Sequence, residues 1–142
     1  MSFTTALRKP AFAPRAMFLG AGSRDGTRAL AREILMMEPA DYAAAFKGSA
    51  IKRAKLWMLQ RNACVVLGNI GTEDDVPALI AALRDEASLV RGHAAWALGR
   101  LGSAVAVAAL RARLADEPDV DVREEISCAL RGLDEFPDSI SK

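Results

Sequence analysis

The chain has 142 residues, of which 51% are hydrophobic, and its formal net charge is +1. This length supports one domain with its own core and is too short for two well-formed domains. No stretch reaches the roughly 18 consecutive apolar residues that a membrane-spanning helix needs. The N-terminal residues also lack the apolar run of a secretion signal. We therefore expect one soluble domain without a membrane partner.

The charge is distributed unevenly along the chain. Residues 1–61 contain 11 Lys and Arg against 4 Asp and Glu, whereas residues 62–142 contain 8 against 14. A basic half suits a polyanionic partner, although like-charged stretches are often only solvated surface. The two cysteines, Cys64 and Cys128, form no CxxC pair and fall inside helical patterns. This usage favours a reducing, cytoplasmic location and predicts that both thiols behave as small apolar side chains.

The hydrophobic pattern divides the chain into three parts. Residues 1–26 contain prolines and glycines at irregular intervals, which predicts an irregular N-terminal arm. Helical periodicity begins at Thr27, a suitable N-cap residue, and continues through a repeat domain at residues 27–133. Residues 134–142 contain Pro137 and several polar residues, so we expect a frayed tail.

The segment LVRGHAAWALGRLG at residues 89–102 has weaker copies on both sides. Residues 60–68 lie 31 positions upstream of residues 91–99, and residues 122–130 lie 32 positions downstream of residues 90–98. A second pattern, at residues 76–86, recurs 31 positions later. Two helical patterns per unit at this period predict an all-α fold, a right-handed α-α superhelix of about 2.5 to 3.5 HEAT-like repeats.

The best-defined helix of this repeat has two distinct faces. At about 100° per residue, Val90 and Leu98 lie on the arc that faces the core. His93, Trp96 and Arg100 share a different arc, on the broad surface that such superhelices use for binding. The equivalent rows are Asn62, Val65 and Asn69 in the preceding unit and Glu125, Cys128 and Gly132 in the following one. The surface is therefore predicted to be polar and basic early in the chain and acidic late.

A basic cluster is the strongest candidate for a binding site. Five cations fall within fifteen positions with no acid among them: Lys47, Lys52, Arg53, Lys55 and Arg61. Such a cluster suits phosphate groups, although a solvated helix face remains the alternative. The paired acids at Asp85-Glu86 and at Asp116-Glu117 recur at the same place in each unit, which favours a role in turns and capping.

Four further residues complete the predicted nucleic-acid contacts: Asn62, His93, Trp96 and Arg100. Trp96 is either a packing residue or a platform on which a base stacks. His93 is the only histidine, so a zinc site or a nucleophilic relay is not expected. It is either a surface histidine or a hydrogen-bond partner of a nucleotide. We predict no metal, no cofactor and no catalysis by this chain alone.

Several segments resemble the C-terminal part of epoxyqueuosine reductases: residues 46–53, 59–63, 67–69 and 90–99. These enzymes complete queuosine in tRNA with cobalamin and two iron–sulfur clusters. The resemblance, over roughly residues 41–131, implies a HEAT-like part that holds the tRNA anticodon arm. The family's catalytic region lies upstream of the matching part and is not in this sequence. The resemblance therefore implies a non-catalytic tRNA-binding module of queuosine biosynthesis, and it allows for a separate catalytic subunit that carries the cobalamin and the clusters.

Two alternatives stay open. Exposed aromatic residues early in the chain, among them Phe12, Phe18 and Trp57, also suit a protein-protein interaction scaffold. The VR-x-x-AA-x-ALG pattern is shared with HEAT-like bilin lyases, so a protein of that kind is the second alternative.

Overall fold

The computed structural model describes residues 23–45 and 56–135. Within these ranges the chain forms seven α-helices, one short 3₁₀ turn at Glu73–Asp75 and no strand. In chain order the helices are α1 (Arg24–Leu35), α2 (Pro39–Ala45), α3 (Leu56–Ile70), α4 (Val76–Ala82), α5 (Ser88–Leu101), α6 (Ala104–Asp116) and α7 (Val120–Glu135). The prediction of an all-α fold is confirmed.

Short polar side chains fix where several helices begin. The Ser23 hydroxyl accepts a hydrogen bond from an amide in the first turn of α1 at 3.0 Å, and Ser103 does the same for α6 at 3.1 Å. These bonds satisfy amides that have no partner inside the helix. The first helix thus begins at Arg24, before the predicted start, and Thr27 lies buried within it and is not the cap. The last helix extends to Glu135, into the predicted tail.

The helices form two layers. The inner layer contains α1, α3, α5 and α7, which contact one another in that order. The outer layer contains α4 and α6, which contact each other and pack against α5, and α6 also contacts α7. Each unit therefore places its second helix in the inner layer, as the repeat predicts. The central helix α5 contacts both inner neighbours, and its predicted core residues Val90 and Leu98 are completely buried, as is Ala94.

Glycines allow the inner helices to approach closely. A Cβ atom added at Gly68 of α3 would overlap the ring of Trp96 on α5. One added at Gly99 of α5 would lie 2.8 Å from the Cβ of Ala129 on α7, closer than carbon atoms normally pack. The repeat position that follows these two is Arg131, which is exposed on α7. Helix α7 therefore presents the exposed, charged side chain of Arg131 at the position where α3 and α5 have a glycine.

A polar side chain occupies the same slot in two successive units. Gln60 and Arg91 are 31 positions apart and both are buried. Each donates hydrogen bonds of 2.8 to 3.4 Å to main-chain carbonyls at or just beyond the end of an earlier helix, where such groups lack partners. The acceptors are Ile34, Leu35 and Met37 for Gln60, and Asp85 and Glu86 for Arg91.

Arg91 also joins two units through a buried ion pair with Glu117. Its Nε and one Nη lie 2.9 and 2.8 Å from the two carboxylate oxygens. The side chain of Glu117 is fully buried and also accepts from Arg113 at 2.9 Å and from the Asp119 amide at 3.0 Å. Burial would raise the pKa of Glu117, but these hydrogen bonds and the Arg91 charge hold it below its ordinary value. One unit earlier, the residues at the positions of Arg91 and Glu117 are neutral Gln60 and exposed Glu86, which form no ion pair.

A second buried carboxylate connects α1 to the start of α4. Asp75 is fully buried and accepts hydrogen bonds from Arg28 at 2.7 Å, from the Thr72 amide at 2.9 Å and from Arg32. Arg28 also donates to the Thr72 hydroxyl at 2.7 Å. Burial raises the pKa of Asp75, and the hydrogen bonds and charges of its partners outweigh this effect and lower it. Both arginines belong to the basic half of the sequence.

Replacement of Gly68 should show how much the stack depends on close packing. Gly68→Ala should lower the free energy of unfolding by about 1 to 3 kcal/mol because the new methyl group overpacks the contact with Trp96. Gly92→Ala is the matched control, because a Cβ there meets no atom within 4 Å. Without a clash, that substitution should stabilise the helix by up to about 1 kcal/mol. Urea denaturation of both variants measures the difference; equal effects would contradict the packing argument.

Acid should lower the free energy of unfolding through the buried carboxylates of Asp75 and Glu117. Their pKa values are lowered in the folded state, so the unfolded chain takes up protons first, near its ordinary carboxyl pKa of about 4. The stabilisation is complete above that pH and is lost as the pH falls through the folded pKa values. Thermal unfolding should show a constant midpoint above about pH 5 and a decrease below it. Glu117→Gln should lower the midpoint at neutral pH and flatten the acid decrease, whereas Glu86→Gln at the exposed equivalent position should change neither.

Candidate functional site

The inner side of α5 lies at the centre of the candidate site. Two grooves run along the line where α5 faces α7, and Trp96 and Glu125 contribute to both. The groove near the start of both helices, here called the N-terminal groove, has a volume of about 420 Å³. The groove near their ends, the C-terminal groove, has about 340 Å³. Both volumes are within the range of small binding sites.

Most members of the three predicted rows, which are equivalent residues of α3, α5 and α7, line one of these two grooves. Val65 of α3 and His93 of α5 line the N-terminal groove together with Trp96 and Glu125. Three further row members line the C-terminal groove, namely Arg100, Cys128 and Gly132. Asn62 and Asn69 lie on α3 and line neither groove. The structure thus places the row of α5 between an apolar residue of α3 and an acidic residue of α7.

Trp96 is held in place from α3. Its half-buried ring packs over Gly68 and against the core. The Nε of Arg100 donates to the main-chain carbonyl of Gly68 at 2.9 Å, and the guanidinium carbon lies 5.5 Å from the Trp96 ring centroid. The arginine therefore combines a cation–π contact with a hydrogen bond to a carbonyl near the negative end of α3. Trp96 is therefore a packing residue that also lines both grooves, and its role as a platform for a base stays a prediction.

The single histidine is oriented by its own helix. Nδ1 of His93 lies 2.8 Å from the carbonyl oxygen of Leu89, one turn earlier. A carbonyl oxygen only accepts hydrogen bonds, so we assign the proton of the neutral ring to Nδ1. Nε2 is then left as an acceptor beside the N-terminal groove.

Most of the basic cluster lies outside the described residues, namely Lys47, Lys52, Arg53 and Lys55. Its remaining member, Arg61, is half-buried on α3. The Arg61 guanidinium lies 5.8 Å from the centroid of the Trp57 ring and donates to the side-chain oxygen of Asn62 at 3.2 and 3.3 Å. The side chains of Arg61 and Asn62 therefore contact each other. The joint role of the five cations stays a prediction.

The two cysteines differ sharply. Cys64 is completely buried, as predicted for a small apolar residue, and burial raises the pKa of its thiol to about 12. The same prediction is wrong for Cys128, which is exposed and lies at the repeat position of Trp96. Its sulfur atom is 3.1 Å from a guanidinium nitrogen of Arg131. The helical period nevertheless placed Cys128 in one row with Glu125 and Gly132, and the structure shows these three residues along the C-terminal groove.

The recurring acid pairs have two different roles. Asp85 accepts a hydrogen bond from the Ala87 amide at 2.9 Å, which confirms the predicted turn role. Glu117 likewise accepts from the Asp119 amide at 3.0 Å, and in addition it forms the buried ion pair with Arg91, a role that the sequence did not predict. The signal in the sequence was the change from Gln60 to Arg91 at equivalent positions, because a buried cation requires a partner.

The described residues provide neither a metal cluster nor a membrane-spanning helix. Within residues 23–45 and 56–135, no group of three or more His, Cys, Asp or Glu side chains could hold a metal ion. Among the helices of the same ranges, none combines the length and the apolar character needed to cross a bilayer.

The two-layer stack of helices defines the chain as an α-helical repeat protein. The family model for HEAT repeats matches residues 48–131. The chain therefore belongs to the HEAT-repeat family.

Known relatives contain this module within longer proteins. Deoxyhypusine hydroxylase-B of Oryza sativa subsp. japonica is 34% identical over 98 residues, covering 63% of this chain and 32% of that protein. Epoxyqueuosine reductase of Listeria monocytogenes is 37% identical over 70 residues, covering 49% of this chain and 18% of that protein. The chain thus spans a third or less of these relatives.

A solved structure shows the same fold. The crystal structure of an epoxyqueuosine reductase with a tRNA-Tyr epoxyqueuosine-modified tRNA stem loop superposes with a TM-score of 0.68 at 24% identity. The match covers 73% of this chain and 28% of that one. The resemblance to the HEAT-like part of epoxyqueuosine reductase is therefore confirmed, and the structural match establishes the fold.

Thiol labelling should separate the two cysteines. With iodoacetamide at pH 8 we expect one equivalent of rapid alkylation, at exposed Cys128, because burial keeps Cys64 inaccessible and protonated. A second equivalent should react only in denaturant. Cys128→Ser should abolish the rapid phase, and rapid labelling of Cys64 in the folded variant would contradict the described core. Mass spectrometry after digestion identifies the modified thiol.

Proposed function

We propose that this chain is a HEAT-repeat module that holds the anticodon arm of a tRNA in queuosine biosynthesis. The observation that carries the proposal is the inner face of α5, where an indole, a guanidinium and an imidazole acceptor lie together. This face belongs to a fold similar to that of a reductase crystallised with a tRNA stem loop. The similarity to epoxyqueuosine reductases also supports the proposal.

The side chains on this face suit single-stranded RNA. Proteins recognise unpaired bases by stacking on aromatic rings or guanidinium planes and by hydrogen bonds to base edges. Trp96 provides a partly exposed ring, and Arg100 is exposed and keeps donors beyond the one that it gives to Gly68. Asn62 and Nε2 of His93 supply further polar contacts. Arg61 and the predicted cations Lys47, Lys52, Arg53 and Lys55 would neutralise phosphates.

The electrostatics of the face favour one direction for the RNA. Asp121 and Glu125 lie on the α7 side of the N-terminal groove and would repel phosphates. Arg61 lies on α3, and Arg100 leans onto the end of the same helix. The phosphate backbone would therefore follow the α3 side of Trp96, in agreement with the predicted change from basic to acidic along the chain.

The redox chemistry of queuosine completion does not fit the residues of this chain. An iron–sulfur cluster takes about four cysteine thiolates, whereas the sequence has two cysteines and one of them is buried with a raised pKa. We propose that a separate catalytic part provides the cobalamin and the clusters, in the cytoplasm, and that this module contributes binding only. A bilin-lyase role rests on repeat similarity alone, which carries little weight for function.

A binding experiment tests the RNA proposal. Fluorescence anisotropy with a labelled tRNA-Tyr anticodon stem loop should show binding by the full chain at low salt and a steep loss of affinity with added salt. Arg61→Gln combined with Arg100→Gln should weaken binding. The two changes should also reduce the slope of log K against log salt by about 0.7 to 0.9 for each phosphate that the protein no longer neutralises.

The matched control removes the same charge elsewhere. Arg24→Gln combined with Arg84→Gln changes two exposed arginines that line neither groove, and we expect both affinity and slope to stay near their original values. Thermal unfolding of each variant confirms that it is folded. Absence of binding by micromolar protein at low salt would contradict the proposal, as would an equal loss in both double variants.

A further inference from the structure

The N-terminal groove combines apolar walls with carboxylates. Its walls include Val65 of α3, Trp96 of α5 and Val122 of α7. Leu89 contributes an apolar side chain that is 48% exposed at the start of α5. Apolar surface of this kind, open to solvent and next to polar groups, is typical of interaction sites.

Asp119 in this groove interacts electrostatically with Arg91, whereas Asp121 and Glu125 form no ion pair with a described arginine. Asp119, Asp121 and Glu125 line it from α7. Asp119 caps α7 by accepting from the amides of residues 121 and 122 at 2.8 and 3.2 Å. Within residues 23–45 and 56–135, no Lys or Arg forms an ion pair with Asp121 or with half-buried Glu125. His93 is the one basic side chain among the lining residues, and it is turned to Leu89.

This arrangement differs from that of the buried carboxylates elsewhere in the fold. Asp75 and Glu117 are each surrounded by two arginines. The groove instead presents Asp121 and Glu125, which pair with no described arginine, beside apolar side chains and an indole ring. A partner that brings positive charge and apolar surface together would complement both features.

We propose that the N-terminal groove binds a segment of a partner protein in which an arginine or lysine adjoins apolar residues. The cation would pair with Glu125 and Asp121 and approach the Trp96 ring, a contact that such cations favour. The neighbouring apolar side chains would cover Val65, Val122 and Leu89. RNA is the poorer occupant here because its phosphates meet three carboxylates. This inference does not depend on tRNA binding, whose phosphate backbone we place on the α3 side of Trp96, although Trp96 and His93 border both proposed sites.

A synthetic peptide tests the groove directly. The probe is a fluorescein-labelled, end-blocked peptide of sequence Arg-Leu-Arg-Leu-Arg, titrated with the full chain at about 0.15 M salt, where exposed charges are already screened. We expect saturable binding. In a ¹⁵N spectrum of the full chain, the indole N–H signal of Trp96 should shift on addition of the peptide, while that of Trp57 on α3 should not.

Paired variants identify the carboxylates that are responsible. Asp121→Asn combined with Glu125→Gln should weaken peptide binding about five- to thirtyfold, as expected for two partly exposed ion pairs. The matched control, Glu33→Gln combined with Glu38→Gln, neutralises two exposed acids of the α1 region and should change affinity less than about twofold.

Three results would overturn the proposal: no saturable binding, an equal loss in both double variants, or equal binding of a peptide with Glu in place of Arg. The affinity for the tRNA stem loop is measured in parallel. Asp121→Asn with Glu125→Gln should leave that affinity unchanged or raise it, so failure of one proposal is distinguishable from failure of the other.

Discussion

The close approach of α3, α5 and α7 is the constraint on which the rest of this structure depends. The Trp96 ring lies directly over Gly68, and Gly99 allows the same closeness between α5 and α7. These contacts set the spacing of the inner layer and so the width of the two grooves. They also fix the ring that lies at the centre of the candidate site. Packing and the candidate site therefore depend on the same residues, and a change that loosens the stack would displace the candidate site.

Buried ion pairs act together with this packing. Arg91 and Glu117 join consecutive units, and Asp75 joins α1 to α4 through Arg28 and Arg32. Such pairs add little to stability over a well-packed apolar contact, but removal of one partner leaves a buried charge without compensation and costs about 3 to 5 kcal/mol. Arg91 forms an ion pair with buried Glu117, whereas the equivalent residues of the preceding unit are neutral Gln60 and exposed Glu86. The pairs therefore distinguish one unit boundary from the next in a fold whose helices are otherwise similar.

The distribution of charge in the sequence differs from the distribution on the surface. Arg28 and Arg32 contribute to the basic first half, yet both are paired with buried Asp75 and are poorly placed for a phosphate. In the acidic second half, Glu117 is hidden from solvent, whereas Asp121 and Glu125 face a groove. The candidate RNA face and the candidate peptide groove thus depend on a few charged groups on either side of Trp96.

The residue pattern alone is enough to predict the helices, the two-layer stack and the side of α5 that faces the grooves, because a repeat of about 31 residues and a helical period both specify which side of each helix is buried. It also indicated that His93, Trp96 and Arg100 share a face. The pairing of Glu117 with Arg91 and the support of Trp96 by Gly68 are visible only in the folded structure. Those outcomes depend on distances between atoms of different helices, whereas the periodic pattern orients each helix separately and does not specify which side chains meet across the gap.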